Sequence, residues 1–343
     1  DDGSDAVVAA AGAAHYRQEY PRHPCISCSR GYAPYLQCDI FRLCIAIYFP
    51  QCSAKAASLH TFPAGRTDFV GGMVMLAATS VHLFAMIFGL MALLALPIVV
   101  ITDHAQEHRR LLATSHISPD ELHVIECDVF NPLAVIESLN AQGLRPVAVF
   151  SNSDHLQTAT AVVAEAFECP GKNWRLCHAA KNKAAMRERM QRLGLPGPWF
   201  QVLASGCALP ADAPWPVVAK PREGVASLDV RLCHNAAELS AYCERFWEQQ
   251  PDRALLLEAY LEGPLFTLET LGDGRSLQAI GGFDVSLSAP PHFVELAARW
   301  NGPLSSAQRT AALAQVAAFG VNFGVCHSEF ILTAQGPVLV EIN

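Results

Sequence analysis

The sequence has few charged residues and no excess of basic ones. Only 16% of its 343 residues are charged, and 24 Lys and Arg stand against 32 Asp and Glu, for a formal net charge of -8. Nucleic-acid binding needs a clustered basic surface, whereas the Lys and Arg of this chain are scattered along it. The composition therefore excludes a nucleic-acid partner and favours a small molecule. The hydrophobic content of 51% also excludes a disordered chain.

A complete zinc-finger pattern is also missing. Cys25 and Cys28 form a CxxC, which is half of a zinc site or a redox pair, but no second CxxC or HxxxH follows at a zinc-finger spacing. We interpret these thiols as unpaired, with a metal site as the alternative. The seven Cys beyond residue 52 lie among apolar residues, which is typical of cysteines that are buried as small hydrophobic residues. Unpaired cysteines persist in a reducing compartment, so we expect a cytoplasmic protein.

Two further features are absent near the start of the chain. Residues 1–67 show neither helical nor strand periodicity, so we treat them as an N-terminal appendage of unknown structure. The first residue is Asp rather than Met, and the last lies inside an apparent strand. We therefore expect that the sequence is cut at both ends.

The stretch from Phe69 to Thr102 contains no charged residue, and two structures explain it. Its run "LFAMIFGLMALLALPIVVI" is about as long as a bilayer-spanning helix. Alternatively, it comprises a strand over 72–77, a helix over 82–95 and a strand over 97–102, with Pro97 ending the helix. We favour the second interpretation, without a membrane, because the residues beyond Thr102 continue an alternation of strands and helices.

In that later region, short strands alternate with amphipathic helices. The pattern predicts a strand over 123–127, a helix over 132–142, a strand over 146–151 and a helix over 155–167. This αβαβ order is typical of an open parallel sheet. The next helix is predicted over 182–193, and from Pro198 onward strands dominate, with one Ala-rich helix over 305–319. We place the domain boundary near residue 180.

The last residues, "SEFILTAQGPVLVEIN", form two apolar runs around a turn at Gln335 and Gly336, which predicts a hairpin. Side chains at alternate strand positions share a face, so Glu341 and Asn343 point the same way and the hairpin brings Glu329 opposite them. Two close carboxylates need a cation or a shared proton, and such oxygen ligands suit Mg²⁺ beside nucleotide phosphates. A solvated sheet face is the alternative.

Lysines and an apolar hinge favour the nucleotide. Lys220 ends the strand "WPVVAK" before a loop with Gly224 and Ser227, where an ammonium and loop N–H groups can grip phosphate. Lys183 opens the helix "NKAAMRERMQRLGLP". In "ALLLEAYLEGPLFTLETLGDG", an aliphatic strand runs into a hinge that suits a flat adenine ring. Taken singly, each lysine is also a plausible solvated residue, and the hinge an ordinary hairpin.

In this order, the pieces resemble the ATP-grasp superfamily over roughly residues 170–343, in its carboxylate–amine ligase branch. The motifs are "AKNKAAMRERMQRLGLPGP", "PVVAKPREGVASLDV", "LLLEAYLEGPLFTLE", "HFVELAARWNGPL", "GVCHSEFIL" and "VLVEIN". The resemblance implies an α/β fold in three parts: the appendage (1–67), a Rossmann-like domain (68–180) and an α+β ATP-grasp domain (181–343) that is incomplete at its C-terminus.

The resemblance also implies functions for particular residues. Lys183 and Lys220 would bind phosphate, and the loop from Gly224 to Ser227 would cover it. Glu258, Ala259 and Leu261 would bind adenine, the last two through backbone groups, and Glu269 would also bind the cofactor. Glu329, Glu341 and Asn343 would hold Mg²⁺ or Mn²⁺. Lys220 and Glu295 would take part in catalysis, Glu295 as a further acidic residue for substrate or metal.

The implied activity is ATP-dependent formation of an amide or peptide bond through an acyl phosphate, in the synthesis of amino-acid, dipeptide or siderophore-type metabolites. Small carboxylates and amines would be the substrates, and a homodimer is one assembly that this interpretation allows. The chain departs from the family in two places: its phosphate loop has a single Gly, and the family pattern continues past Asn343 to an Arg. A biotin-carboxylase-like or purine-pathway enzyme, or a non-catalytic, membrane-anchored ATP-binding module, is the alternative.

Overall fold

The computed structural model describes residues 70–77, 98–113, 123–151, 153–224, 228–300 and 304–343. The chain divides into two units, with the second beginning at Arg175. The appendage, its CxxC and most of the apolar run lie outside the described residues, as does the predicted helix over 82–95. Within the described ranges, no helix is long and apolar enough to cross a bilayer. The predicted domain boundaries stay predictions.

The first unit contains a parallel four-stranded sheet in the order β3-β2-β1-β4. Its elements are β1 (Val70–Ala77), β2 (Ile98–Thr102), α1 (Ala105–Ala113), β3 (His123–Glu126), α2 (Pro132–Ala141), β4 (Arg145–Phe150) and α3 (Gln157–Ala166). Val99, Val100 and Ile101 of β2 are fully buried, so both faces of this inner strand are covered, whereas Val147 on the edge strand β4 is 44% exposed. The strands predicted over 72–77, 97–102, 123–127 and 146–151 and the helices predicted over 132–142 and 155–167 occur, with bounds shifted by a few residues, whereas α1 was not predicted.

The second unit contains two antiparallel sheets with their helices. In chain order its elements are α4 (Trp174–Lys181), which starts at the last residue of the first unit, α5 (Lys183–Arg192), β5 (Phe200–Leu203), β6 (Val217–Pro221), β7 (Arg231–Cys233), α6 (Ala236–Gln249), β8 (Leu255–Ala259), β9 (Leu265–Asp273), β10 (Leu277–Gly281), β11 (Phe283–Leu287), β12 (Glu295–Trp300), α7 (Ser306–Phe319), β13 (Phe323–Thr333) and β14 (Gly336–Ile342).

The smaller sheet has the order β5-β8-β6-β7 and packs on α6. The larger has the order β12-β11-β9-β13-β14, with β10 also paired to β9. One face of the larger sheet forms a core with α5 and α7, in which Phe319, Phe330, Leu339 and Ile342 are fully buried. The other face of β9, β13 and β14 is free of this core. It can therefore carry polar side chains.

The predicted terminal hairpin is present and contains a β-bulge. Glu329 pairs with Glu341, but its neighbour Phe330 pairs with Leu339, so Val340 is an extra residue in β14. A bulge leaves its extra residue without a partner in the ladder. Because of it, Leu339 and Ile342 both reach the core although three positions separate them.

Gly263 lets the chain between β8 and β9 approach β13 closely. Its φ is +151°, and a Cβ there would overlap the backbone of Leu332. The nearby N–H of Leu332 donates to the carbonyl of Pro264 at 3.0 Å. Only glycine fits this position without displacing the backbone. The turn after the predicted adenine hinge is thereby fixed against the larger sheet.

Candidate functional site

The polar face of the larger sheet brings together residues that are far apart in the sequence. Glu269 of β9 pairs with His327 of β13, and Glu329 of β13 pairs with both Thr267 of β9 and Glu341 of β14. Since alternate strand positions share a face, these side chains form one cluster on the side opposite the core. We call this set the sheet cluster; with Asn343 it comprises Thr267, Glu269, His327, Glu329, Glu341 and Asn343.

The three predicted metal ligands all belong to the sheet cluster. Glu329 and Glu341 are direct cross-strand partners. The backbone N–H of Asn343 donates to the carbonyl of His327 at 2.8 Å, which holds the chain end beside β13. The Asn343 side chain hydrogen-bonds to Glu341 and helps to lower the pKa of that carboxyl. The prediction that these three residues converge thus agrees with the observed register.

The donors of the predicted metal site are two carboxylates and one amide. Hard oxygen donors of this kind suit Mg²⁺ or Mn²⁺, and Mg²⁺ usually completes its shell with water and phosphate oxygens. In the ranges that the structure covers, no group of three or more His, Cys, Asp and Glu side chains is arranged to hold a metal ion. Two carboxylates and one amide are donors that suit a Mg²⁺ whose remaining ligands are water and phosphate oxygens.

Glu295 lies near this site from the edge strand β12. Its pKa is raised by partial burial and by the negative charges of Glu329 and Glu341. The charge of His327 acts in the opposite direction. Glu295 is thus close enough to sense both predicted metal ligands, although it belongs to an edge strand that does not pair with β13.

Lys183 connects the first turn of α5 to the sheet cluster. Asn182 caps this helix, accepting from the N–H groups of Ala184 and Ala185. The Lys183 ammonium lies 3.1 Å from Glu341 Oε2 and donates to the carbonyl of Gly224 at 2.8 Å. Burial would raise the pKa of Glu341, but the charges of Lys183 and Lys220 and the hydrogen bonds from Lys183 and Asn343 together outweigh it, and the pKa is lowered. Glu341 is therefore ionised at neutral pH.

Lys220 forms a buried ion pair with Glu258. Its Nζ lies 2.6 Å from Glu258 Oε2, and the Lys220 side chain is 12% exposed. The other oxygen of Glu258 lies 2.6 Å from Arg187 Nε. Burial would raise the pKa of Glu258, but the two cations outweigh it and lower the pKa to about 2. The pKa of Lys220 is lowered by burial and by Arg187 and Lys183, against the attraction of Glu258.

The predicted phosphate loop is described only at its start. Gly224 lies against Lys183, while Val225, Ala226 and Ser227 lie outside the described residues. The backbone N–H of Lys183 donates to the carbonyl of Arg222 at 3.1 Å. The beginning of the loop is thus anchored to the start of α5.

The predicted hinge follows β8. The N–H groups of Ala259 and Tyr260 donate to the carbonyls of Trp199 and Pro216, at 2.9 and 3.0 Å. Among hinge residues 259–261, all within the described ranges, Leu261 is the one whose N–H has no backbone acceptor. If adenine binds here, the geometry favours the Leu261 amide over that of Ala259. The Glu258 carboxylate is already shared by two cations.

Glu269 interacts with neighbours on the sheet rather than with the hinge. Its Oε1 accepts from the Thr267 hydroxyl at 2.8 Å and lies 2.8 Å from His327 Nδ1. His327 Nε2 lies 3.5 Å from Glu329 Oε1. Burial would lower the pKa of His327, but hydrogen bonds to Glu269 and Glu329 raise it well above 6.5. His327 thus carries positive charge among the carboxylates.

This raised pKa predicts a pH dependence of stability. The His327 charge contributes fully below pH 6.5, where the unfolded-state imidazole is also protonated, and the contribution is lost as pH rises through the higher folded-state pKa. The free energy of unfolding of His327→Gln should therefore fall furthest below that of the unsubstituted protein at pH 6, and the gap should narrow toward pH 9. Urea unfolding at both pH values measures it.

His234→Gln is the matched control, because His234 is an exposed residue before α6. Its free energy of unfolding should stay close to that of the unsubstituted protein, because the side chain is exposed. A His327→Gln gap that widened between pH 6 and pH 9 would contradict the charge assignment.

Two residues of the site are not evident from the sequence. Arg187 looks like one of several charges on a polar helix, yet its four-residue spacing from Lys183 puts both on one helix face. His327 looks like a core histidine between Cys326 and Ser328. Its alternation with Glu329 on the strand is the signal that could have placed it in the cluster.

Comparison with curated sequences identifies several relatives. No family model matches the chain. It is 27% identical over 243 residues to the uncharacterized protein y4rH of Sinorhizobium fredii, covering 66% of this chain and 50% of that protein. It is 32% identical over 240 residues to carnosine synthase 1 of Gallus gallus, and the match covers 61% of this chain and 25% of that protein. It is 26% identical over 232 residues to dapdiamide A synthase of Enterobacter agglomerans, and the match covers 61% of this chain and 53% of that protein. The chain thus spans about half or less of each relative.

Solved structures share the fold. An L-amino acid ligase from Bacillus licheniformis matches with a TM-score of 0.65 and 19% identity, over 81% of this chain and 67% of that one. A D-alanine–D-alanine ligase from Bacillus anthracis, complexed with ATP, matches with a TM-score of 0.52 and 15% identity. The match covers 80% of this chain and 85% of that chain. This likeness confirms the α/β fold predicted from the six motifs.

Proposed function

We propose that this chain, which has the ATP-grasp fold, is an ATP-dependent ligase that joins a carboxylate to an amine through an acyl phosphate. One observation carries the proposal: two lysine ammoniums from different elements act on Glu341 of the sheet cluster, Lys183 at 3.1 Å and Lys220, which pairs with Glu258, through its charge. Cations and hard oxygen donors so arranged suit a nucleotide triphosphate with its metal. The named functions of the relatives, carnosine, dapdiamide and amino-acid ligation, support the reaction class.

The chemistry explains why such a site would need ATP. A carboxylate is a poor electrophile because its charge is delocalised and its leaving group would be oxide. A carboxylate oxygen attacks the γ-phosphorus, the bond to the β-phosphate bridging oxygen breaks, and ADP leaves. The amine then attacks the acyl carbon of the acyl phosphate, loses a proton and expels phosphate to leave an amide.

The residues of this chain would act mainly by positioning and charge stabilisation. We assign Lys183 and Lys220 to the phosphates and Leu261 to the adenine edge. Glu329, Glu341 and Asn343 would hold the metal ion. When bound, Mg²⁺ supplies charge that offsets the negative charge of the β- and γ-phosphates.

The remaining predicted residues fit later steps of this reaction. The loop that starts at Gly224 would cover the phosphates and exclude water, which otherwise consumes an acyl phosphate. Glu295 would contact the substrate. Its raised pKa suits a group that accepts the proton of the attacking amine.

ADP release with pooled amino acids tests the proposal. The protein is supplied with ATP, Mg²⁺ and mixtures of amino acids, and mass spectrometry searches for a product equal to two substrates less one water. Hydroxylamine added in place of the amine should trap the acyl phosphate as a hydroxamate. We expect ADP and product only when ATP, Mg²⁺ and both substrates are present.

Three outcomes separate the alternatives. ADP release that depends on bicarbonate, without amide product, would indicate a biotin-carboxylase-like reaction. ATP binding without turnover in any pool would indicate a binding module. Absence of ATP binding would remove the nucleotide site altogether.

A further inference from the structure

Arg187 is a permanent cation buried in the interior of the second unit. It is among the largest fully buried side chains of the described residues, with 2% of its surface exposed. Its Nη1 contacts the sulfurs of Met186 and Met190 at 3.5 Å, and its other groups face polar acceptors. A charge removed from water in this way is costly unless it is paired and hydrogen-bonded.

The acceptors of Arg187 belong to the two sheets that carry the proposed nucleotide residues. Its Nε lies 2.6 Å from Glu258 on β8, in the smaller sheet. Its Nη2 donates at 2.8 Å to the carbonyl of Val340, the extra residue of the bulge in β14. Since the bulge leaves Val340 outside the ladder pairing, its carbonyl is accessible to a side chain. Arg187 therefore connects the two sheets through one planar group.

Both acceptors of Arg187 are directly linked to a residue of the proposed nucleotide site. Glu258 on β8 is the cross-strand partner of Val218 on β6, and Lys220 lies two residues after Val218 on the same strand face. Glu258 therefore reaches the Lys220 ammonium diagonally across the two strands. Val340 precedes Glu341, which pairs with Lys183. On α5, Lys183 and Arg187 lie one turn apart on the same face.

Cations outnumber carboxylates in these contacts. Lys183, Arg187 and Lys220 are paired with the carboxylates of Glu258 and Glu341, whereas Glu269 and Glu329 of the sheet cluster interact with His327. A buried ion pair alone is weak evidence for a stabilising function, since apolar replacements are often as stable. Cations gathered on this side of the cluster are, however, suited to an anionic ligand.

From this geometry we infer that Arg187 is a positioning residue of the nucleotide site, which orients Lys220 through Glu258 and fixes β14 beside Glu341 through Val340. The inference rests on the proposed function. The planar guanidinium donates to the Glu258 carboxylate and to the Val340 carbonyl at the same time. An ammonium of the same charge cannot reproduce this geometry. Charge alone therefore does not replace it.

ATP binding by single and double variants tests this coupling. Arg187→Lys keeps the charge and should weaken ATP binding about 10- to 100-fold, as loss of a partner behind a ligand-binding group does elsewhere. In a Lys220→Met background the same substitution should weaken ATP binding at least about threefold less than it does when Lys220 is present, because one of the two groups that Arg187 positions is absent and only its contact with β14 remains. Calorimetric titration with ATP, with and without Mg²⁺, measures all four affinities.

Arg189→Lys is the matched control on the same helix. Arg189 donates to the carbonyl of Phe319 at 2.7 and 3.0 Å and lies over its ring, away from Glu258. It should leave ATP affinity unchanged. If Arg187→Lys fails to fold by circular dichroism, the isosteric Glu258→Gln is tested in its place, because it removes the same link while keeping the side-chain shape.

The outcomes separate this inference from the proposed function. If the unsubstituted protein binds no ATP, the proposed function fails and the inference fails with it. If it binds ATP but the Arg187 and Lys220 effects add, or if the Arg187→Lys effect equals that of Arg189→Lys, the inference alone is overturned. A loss that becomes smaller in the Lys220→Met background supports it.

Discussion

Glu341→Gln is expected to reduce Mg-dependent turnover of ATP by about 100-fold or more, the scale seen when one charge-stabilising group is removed from an active site. Glu341 faces Glu329 across the β13–β14 ladder and pairs with Lys183 at 3.1 Å. The glutamine keeps the size of the side chain and removes its charge. It therefore takes one anionic oxygen from the metal donors and releases Lys183 at the same time.

Two measurements separate the metal effect from a general loss of structure. Binding of Mn²⁺ in the presence of ATP, followed by electron paramagnetic resonance, should weaken in Glu341→Gln, while thermal unfolding should change little. Glu244→Gln is the control, because Glu244 is exposed on α6 and accepts only from the hydroxyl of Ser240 among the described side chains. Unchanged turnover and Mn²⁺ affinity in Glu341→Gln would falsify the metal assignment.

Lys220→Met should weaken ATP binding by about 100-fold, because it removes one of two ammoniums proposed to face the triphosphate. A solvated lysine at a strand end would have no such effect, but Lys220 is 12% exposed and paired with Glu258. The methionine keeps an unbranched side chain, and Arg187 still neutralises Glu258. We therefore expect a folded protein with an impaired site.

The measurement is the ATP dissociation constant together with the unfolding midpoint. Lys172→Met provides the comparison, since Lys172 lies in the first unit and donates to Gln157 at 3.0 Å. Both variants should retain the unfolding transition. Equal ATP affinities for Lys220→Met and Lys172→Met would mean that Lys220 is a structural residue.

Local sequence patterns were sufficient for most of the elements. The helix expected over 182–193 occurs as Lys183–Arg192, capped by the Asn182 side chain. The terminal hairpin occurs too, with its turn at Ala334 and Gln335, one residue before the predicted position. Alternation also placed Glu329, Glu341 and Asn343 on one face. The helix, the hairpin and the shared strand face depend on residues that are close in the sequence or on the pairing of two neighbouring strands. The periodicity of hydrophobic residues is sufficient to predict such features.

The partners of the buried charges could not be predicted in this way. Cofactor binding by Glu258 and Glu269 stays a prediction, but nothing near either residue in the sequence indicates its charged partner. The Glu258 carboxylate pairs with Arg187, which lies 71 positions earlier, and with Lys220. Glu269 pairs with His327, 58 positions later. A strand carboxylate has the same local pattern whether it faces a ligand or an internal cation. Only the packing of the elements distinguishes the two.

The extra residue at Val340 is needed for the contact with Arg187 rather than for the alternation of the last strand. Deleting it would restore a regular ladder in which Leu339 and Ile342 still face the core and Glu341 and Asn343 still face away from it. The buried guanidinium would, however, lose the carbonyl that accepts from its Nη2, and an unpaired buried donor costs about 1 to 3 kcal/mol or more. We expect any natural variation in hairpin length to occur at the turn near Gln335 instead, where both strands can lengthen together.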